Sequence, residues 1–123
     1  MCIRDSGYTE TLFGRRRKIP ELASSNFRIR QAGERQAMNA GIQGLAADIF
    51  KVALVNLDEA LRSDDYESRL ILQVHDEVIL EVTADERDHM ATMTTEIMAD
   101  AFDLSVPLEV NLAFGPSWAE AKA

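Results

Sequence analysis

Apolar residues recur along this chain with two different periods, and the switches between them mark out its elements. Tyr8 to Phe13 alternates among β-forming residues and predicts a strand that Gly14 turns. Glu21 to Gln31 keeps no clear period and reads as a connector with an irregular or short helical turn. From about Gly33 to Arg62 the spacing becomes helical. Met38, Ile42, Leu45, Ile49 and Val52 recur three and four residues apart, which draws one apolar stripe. Phe50, Ala53, Leu57 and Leu61 widen that stripe and predict deeper burial in the second half, before Asp64-Asp65 ends the helix in a polar turn.

Leu70 to Val82 carries two β-branched, apolar runs around His75-Asp76-Glu77, the pattern of a β-hairpin with its charges at the tip. Thr83-Ala84-Asp85-Glu86 has the form of a capping box, and the helix after it should run to about Phe102. Met90, Met93, Ile97, Met98 and Ala101 would face the sheet, the methionines as gap-filling core. Residues 106–113 alternate again after Pro107 and predict a last strand, closed by Gly115-Pro116, with Trp118 covering a core edge. These elements make an α+β fold: two main helices packed on a small antiparallel sheet with a central hairpin.

A chain of 123 residues suffices for one domain with a modest core. No apolar run approaches the about 20 residues that cross a bilayer, so no membrane partner is expected. The lone cysteine, Cys2, has no partner for an internal disulfide and suits a reducing, cytoplasmic setting. Met1 to Ser6 lacks the apolar centre of a signal peptide and fits poorly with the strand after it, which suggests a leader outside the fold. The net charge of −8 hides a strong polarity. Residues 1–43 balance to +4, with eight Lys/Arg against four acids, whereas residues 44–123 balance to −12. A basic segment on an acidic body suggests one face that meets a polyanion.

Three features carry candidate chemistry, and each also has a plain reading. Arg15-Arg16-Arg17-Lys18 places four cations in a row, which repel unless an anion sits among them. Phosphate matches the arginine fork, although such runs are commonly solvated loops. Arg35, Asn39 and Gln43 recur every four residues and project from one helix face, each with several hydrogen-bond donors. Such a row can reach the minor-groove acceptors that every base pair presents, giving contact without sequence choice. The plain alternative is a polar face in water. Gly41 and Gly44 favour the first, because each glycine costs a helix about 1 kcal/mol and close approach to a partner is a reason to bear it. His75, Asp76 and Glu77 sit between apolar runs, where a carboxylate needs a partner such as a divalent cation. Turn charges facing water are the alternative. No zinc spacing or phosphate-binding glycine loop accompanies these features.

Taken together, the motifs resemble family A DNA polymerases, specifically the C-terminal palm region of the bacterial members. Gln73-Val74-His75-Asp76-Glu77 is similar to the third palm motif of that family. Gly7 to Arg17 is similar to the segment leaving the fingers, and Glu34 through Ile49 to the long palm helix. Val106-Pro107-Leu108 and Gly115 to Trp118 are similar to the final strand and tail, so the likeness runs from about Gly7 to the end. The resemblance implies nucleotidyl transfer with two Mg²⁺ ions that bridge the primer 3′-hydroxyl and the incoming triphosphate. Asp76 would be one of two metal-binding aspartates, with Glu77 a lesser acidic neighbour and His75 beside the primer end. Arg35, Asn39 and Gln43 would hold primer–template DNA from the minor groove, with Arg15, Arg16 and Arg17 on the backbone. Partners would be DNA and deoxynucleoside triphosphates, in a parent that is cytoplasmic and monomeric.

The departures from the family pattern matter equally. No Asp-Tyr-Ser-Gln-Ile-Glu-type stretch supplies the other catalytic aspartate, and the nucleotide-gripping fingers helix is absent from this sequence. Gly41 stands where the family commonly has proline. The chain alone should therefore not polymerise, and its sheet should have an open edge where the other palm strand belongs. Two other readings use the same residues. One is a stand-alone DNA-binding module without chemistry; the other is a small metal-dependent phosphoesterase built on His75, Asp76 and Glu77, for which few ligands are visible.

Overall fold

The structure, a computed structural model, describes residues 3–122; Cys2 and the first residue of the suggested leader lie outside the described residues. The chain divides into two compact units, Met1–Asp48 and Ile49–Ala123. Mixed helices and small antiparallel ladders make the α+β class expected from the pattern. The single expected sheet is instead two separate two-stranded ladders.

In the first unit, one helical turn (α1, Ile3–Ser6) leads into strands β1 (Tyr8–Glu10) and β2 (Arg16–Lys18). Of the leader suggested for residues 1–6, the described Ile3–Ser6 forms this turn: the Gly7 N–H donates to the Ile3 carbonyl, and Arg4 pairs with Glu34. β1 and β2 pair antiparallel with Glu10 opposite Arg16 and Tyr8 opposite Lys18. β1 is shorter than the predicted strand because Thr11 to Gly14 turns the chain, Gly14 in the left-handed region at φ 84°. Ile19 and Leu22 are buried at the start of a 3-10 turn (Pro20–Ala23) and meet Ala37 of the long helix α2 (Phe27–Ser63).

The helix α2 starts six residues before the predicted Gly33. Asn26 caps it, its Oδ1 accepting from the Arg28 N–H at 3.0 Å, a side chain of the type that favours this position. The face it buries also differs from the predicted stripe. Met38 and Ile42 are 75% and 77% exposed, while Ala37 and Ala40 are buried. The reason is distance rather than hydrophobicity. A Cβ on Gly33 would lie 2.9 Å from the Glu21 Cβ, so α2 approaches the 3-10 turn too closely for larger side chains.

The second unit is built on the other half of α2. Leu57 and Leu61 pack on Met90 of α3 (Arg87–Ala99), with Tyr66, Leu70, Val78, Leu80, Val82, Met93 and Ile97 around them. The predicted deep second half is thus observed, as are Met90 and Met93 in the core, but α3 ends at Ala99 rather than near Phe102, and neither Met98 nor Ala101 joins this cluster. By length and composition α2 does contain a stretch apolar enough to cross a bilayer, contrary to the sequence expectation. Its Leu57 and Leu61 are nonetheless buried against protein. Strands β3 (Arg69–Val74) and β4 (Glu77–Glu81) form the predicted hairpin, with Leu70 opposite Leu80 and Leu72 opposite Ile79. Ile71 is the extra residue of a bulge between those pairs.

Three further expectations are corrected. Residues 106–113 form no ladder, since a strand exists only where a neighbour takes its backbone bonds, and Trp118 is 52% exposed. The capping box at Thr83 does not form either. Thr83 makes no side-chain cap and its N–H donates to Ser68 Oγ. Glu86 instead accepts from the N–H groups of Glu67 and Ser68 at 3.0 and 2.8 Å. A 3-10 turn (Ala84–Glu86) therefore precedes α3, and Glu86 holds the chain entering β3.

Hydrogen bonding to Ser68, then to the Glu67 N–H, lowers the Glu86 pKa below its ordinary 4.5. A depressed folded-state pKa contributes stability above the unfolded value that is lost as pH falls through the folded one. Glu86→Gln should accordingly lower the melting midpoint at neutral pH, with the difference shrinking in a thermal series as pH falls below the ordinary carboxyl value of 4.5. Leu57→Ala should cost about 2–5 kcal/mol in denaturant unfolding, whereas Met38→Ala should stay within about 0.5 kcal/mol.

Candidate nucleic-acid interface

The hairpin tip is a two-residue turn, His75-Asp76, between Val74 and its partner Glu77. His75 adopts φ 54°, a left-handed conformation that histidine enters more readily than β-branched residues do. Gln73 Nε2 donates to the His75 carbonyl at 2.7 Å and braces the turn. The three tip side chains, His75, Asp76 and Glu77, are exposed. The expectation of apolar walls around Asp76 is not met, so burial gives no reason for a cation here. Among the described residues no group of three His, Cys, Asp or Glu side chains could hold a metal ion.

In the first unit, Arg35, Asn39 and Gln43 are all exposed on α2. Met38, Ile42 and Ala46 are exposed too, and at ~100° per residue the six side chains fall within an arc of about 140°. This face mixes donors with apolar surface and contains no acid. Glu34, outside that arc, is paired with Arg4.

The arginine run finds its anions inside the chain. Arg15 Nε donates to Asp48 Oδ1 at 2.8 Å, and Nη2 to the Gly44 carbonyl at 3.1 Å. Arg16 Nε pairs with Glu10 at 2.6 Å, its guanidinium 4.5 Å from the centre of the Tyr8 ring. Two of the four cations thus have carboxylate partners within the chain. Arg17 and Lys18 are exposed and form no ion pair among the described residues.

Asp48 was missed in the sequence. It is 8% exposed, and its second oxygen accepts from Thr11 Oγ1 at 2.8 Å. The signal was an acid set in the apolar run Ala46-Ala47-Asp48-Ile49, where a carboxylate needs donors. The glycine reading changes with it. A Cβ on Gly44 would lie 2.7 Å from Thr11 Cγ2, so its close approach is to this chain's own turn, while Gly41 has open space.

A helix with a donor face, joined in sequence to a hairpin that exposes His-Asp-Glu, fits the class suggested by the motifs, and comparison settles it. The chain belongs to DNA polymerase family A, whose model matches residues 1–120. Among curated relatives, DNA polymerase I of Mycobacterium leprae is 52% identical over 118 residues, covering 96% of this chain and 13% of that protein. DNA polymerase I of Lactococcus lactis is 49% identical over 119 residues, 97% of this chain and 14% of that protein. The chain therefore spans about a seventh of the relatives it matches. Among solved structures, the POL domain of Pol1 from M. smegmatis, in complex with DNA primer–template and dNTP, superposes with a TM-score of 0.91. It is 50% identical, and the match covers 97% of this chain and 21% of that one.

The two helical glycines should respond oppositely to alanine. Gly41→Ala should stabilise by about 0.5–1 kcal/mol through helix propensity. Gly44→Ala should destabilise by about 1–3 kcal/mol, because Thr11 cannot swing away without breaking its bond to Asp48. Urea unfolding of both variants checks the contrast.

Proposed function

We propose that this chain is the C-terminal palm segment of a bacterial DNA-directed DNA polymerase serving replication and repair, and that alone it binds primer–template DNA without extending it. The observation that carries this reading is the exposed, acid-free row of Arg35, Asn39 and Gln43, in a chain that aligns over 97% of its length with a polymerase domain bound to DNA.

The donor row suits the minor groove, where purine N3 and pyrimidine O2 accept hydrogen bonds at every step. Arg17, Lys18 and the outer face of Arg16 supply backbone contacts, with Arg15 acting from behind them. His75 would stand at the primer end, and Asp76 with Glu77 would contribute hard oxygen donors to Mg²⁺. When bound, Mg²⁺ neutralises charge on the reacting phosphate and its attacking oxygen. Asp76 and Glu77 would be only part of such a donor set, and no group of three His, Cys, Asp or Glu side chains among the described residues completes it. No chemical step is therefore assigned to the chain by itself. Deoxynucleoside triphosphates are substrates of the whole enzyme, a cytoplasmic monomer.

Anisotropy with a labelled recessed-end duplex and a primer-extension assay test the reading. The expected result is sequence-independent binding that weakens with salt, unchanged by Asp76→Ala, and no extension with Mg²⁺ and all four nucleotides. Arg35→Ala and Asn39→Ala should each weaken binding by about three- to tenfold. Extension by the 123-residue chain would refute its inactivity. Affinity indifferent to both substitutions would remove the helix face from the interface.

A further inference from the structure

An acid close to a surface that binds a polyanion is a liability, and Asp48 is such an acid. It lies on α2 five residues, about one and a half turns, beyond Gln43, and so faces the β1–β2 hairpin, with both carboxylate oxygens engaged. Arg15 and Thr11 both come from the turn that joins the strands. Thr11 Oγ1 also accepts from the N–H groups of Phe13 and Arg15, each at 3.3 Å, so one hydroxyl organises the turn and donates its own proton to Asp48. Arg15 adds a second fastening through the Gly44 carbonyl. The missing side chain at Gly44 lets the turn lie this close.

We propose that Asp48 is a positioning residue of the DNA-binding surface. Through Arg15 and Thr11 it fixes β2, and with it Arg16, Arg17 and Lys18, in orientation on the helix that carries Arg35, Asn39 and Gln43. Arg15 is then a strut rather than a phosphate ligand. The inference rests on the DNA-binding reading under Proposed function and deepens it by separating the cations that touch the backbone from the one that aims them.

The test turns on sign. Neutralising an acid beside a polyanion site strengthens binding when only charge matters. If Asp48 aims the hairpin, Asp48→Asn weakens binding instead, by about five- to tenfold, the scale of a lost charge-assisted hydrogen bond. The dependence of log affinity on log salt also becomes shallower by about 1–2, although no cation was removed, because the hairpin cations no longer meet phosphates together. Loss of global stability does not produce that change in a protein still folded at the assay temperature, which circular dichroism verifies.

The 123-residue chain, its Asp48→Asn and Thr11→Val variants and Arg35→Ala are compared by anisotropy across a salt series. Thr11→Val removes one donor only and should lose about two- to threefold, with the same shallowing; it also serves if Asp48→Asn fails to fold. Equal or tighter binding by the folded variants, with the salt slope kept, overturns the positioning role. If Arg35→Ala still weakens binding in that case, the DNA-binding face stands and only the strut falls. A parent chain with no affinity for the duplex overturns both.

Discussion

The N-terminal half of α2 meets the rest of its unit through its smallest residues. Gly33 sits against Glu21 and Leu22, Ala37 against Ile19 and Leu22, and Gly44 against Thr11. Contact at that range puts backbone near backbone, which lets a short polar hairpin and a single 3-10 turn be held without a large core. Everything else on this half of the helix depends on that constraint. Once the small line is turned inward, Arg35, Met38, Asn39, Ile42 and Gln43 must look outward, since they lie on the far side of the same cylinder.

The second unit solves a different problem with larger side chains. Leu57, Leu61 and Met90 make an apolar core against which one face of the hairpin lies, through Leu70, Val78 and Leu80. A two-residue turn is the shortest link between antiparallel strands, so the charged tip is held with little slack. The local requirement falls on His75, whose backbone is left-handed, and Gln73 meets part of it by bonding the His75 carbonyl.

Much of this was legible in the chain. The hairpin, the methionine side of α3 and the buried end of α2 all came from periodicity, because there burial goes with hydrophobicity. Periodicity misled where burial goes with size: Ala37 and Ala40 recur at a helical spacing as Met38 and Ile42 do, one and two residues earlier, and only the packing partner decides between them. The same holds for polar residues with several possible partners. Glu86 was matched to Thr83 by spacing, yet Ser68 and Glu67 offered better-placed donors from a distant part of the chain. Asn26, by contrast, was a readable cap whose meaning was hidden by the weak period around it. The last strand could not be read at all from its own residues, since a strand is a property of two segments. The family likeness, unlike these local assignments, rested on motif order, and the match over residues 1–120 agrees with it.

The bulge at Ile71 bears on how this chain behaves at high concentration. β3 carries Ile71 and Leu72 at 54% and 43% exposure in a ladder of only two strands, an invitation to sheet growth between molecules. The extra residue breaks the even spacing of backbone groups and sharpens the local twist, so an incoming flat strand finds its bonds out of step midway. A small irregularity in the hairpin thereby works against edge-to-edge pairing.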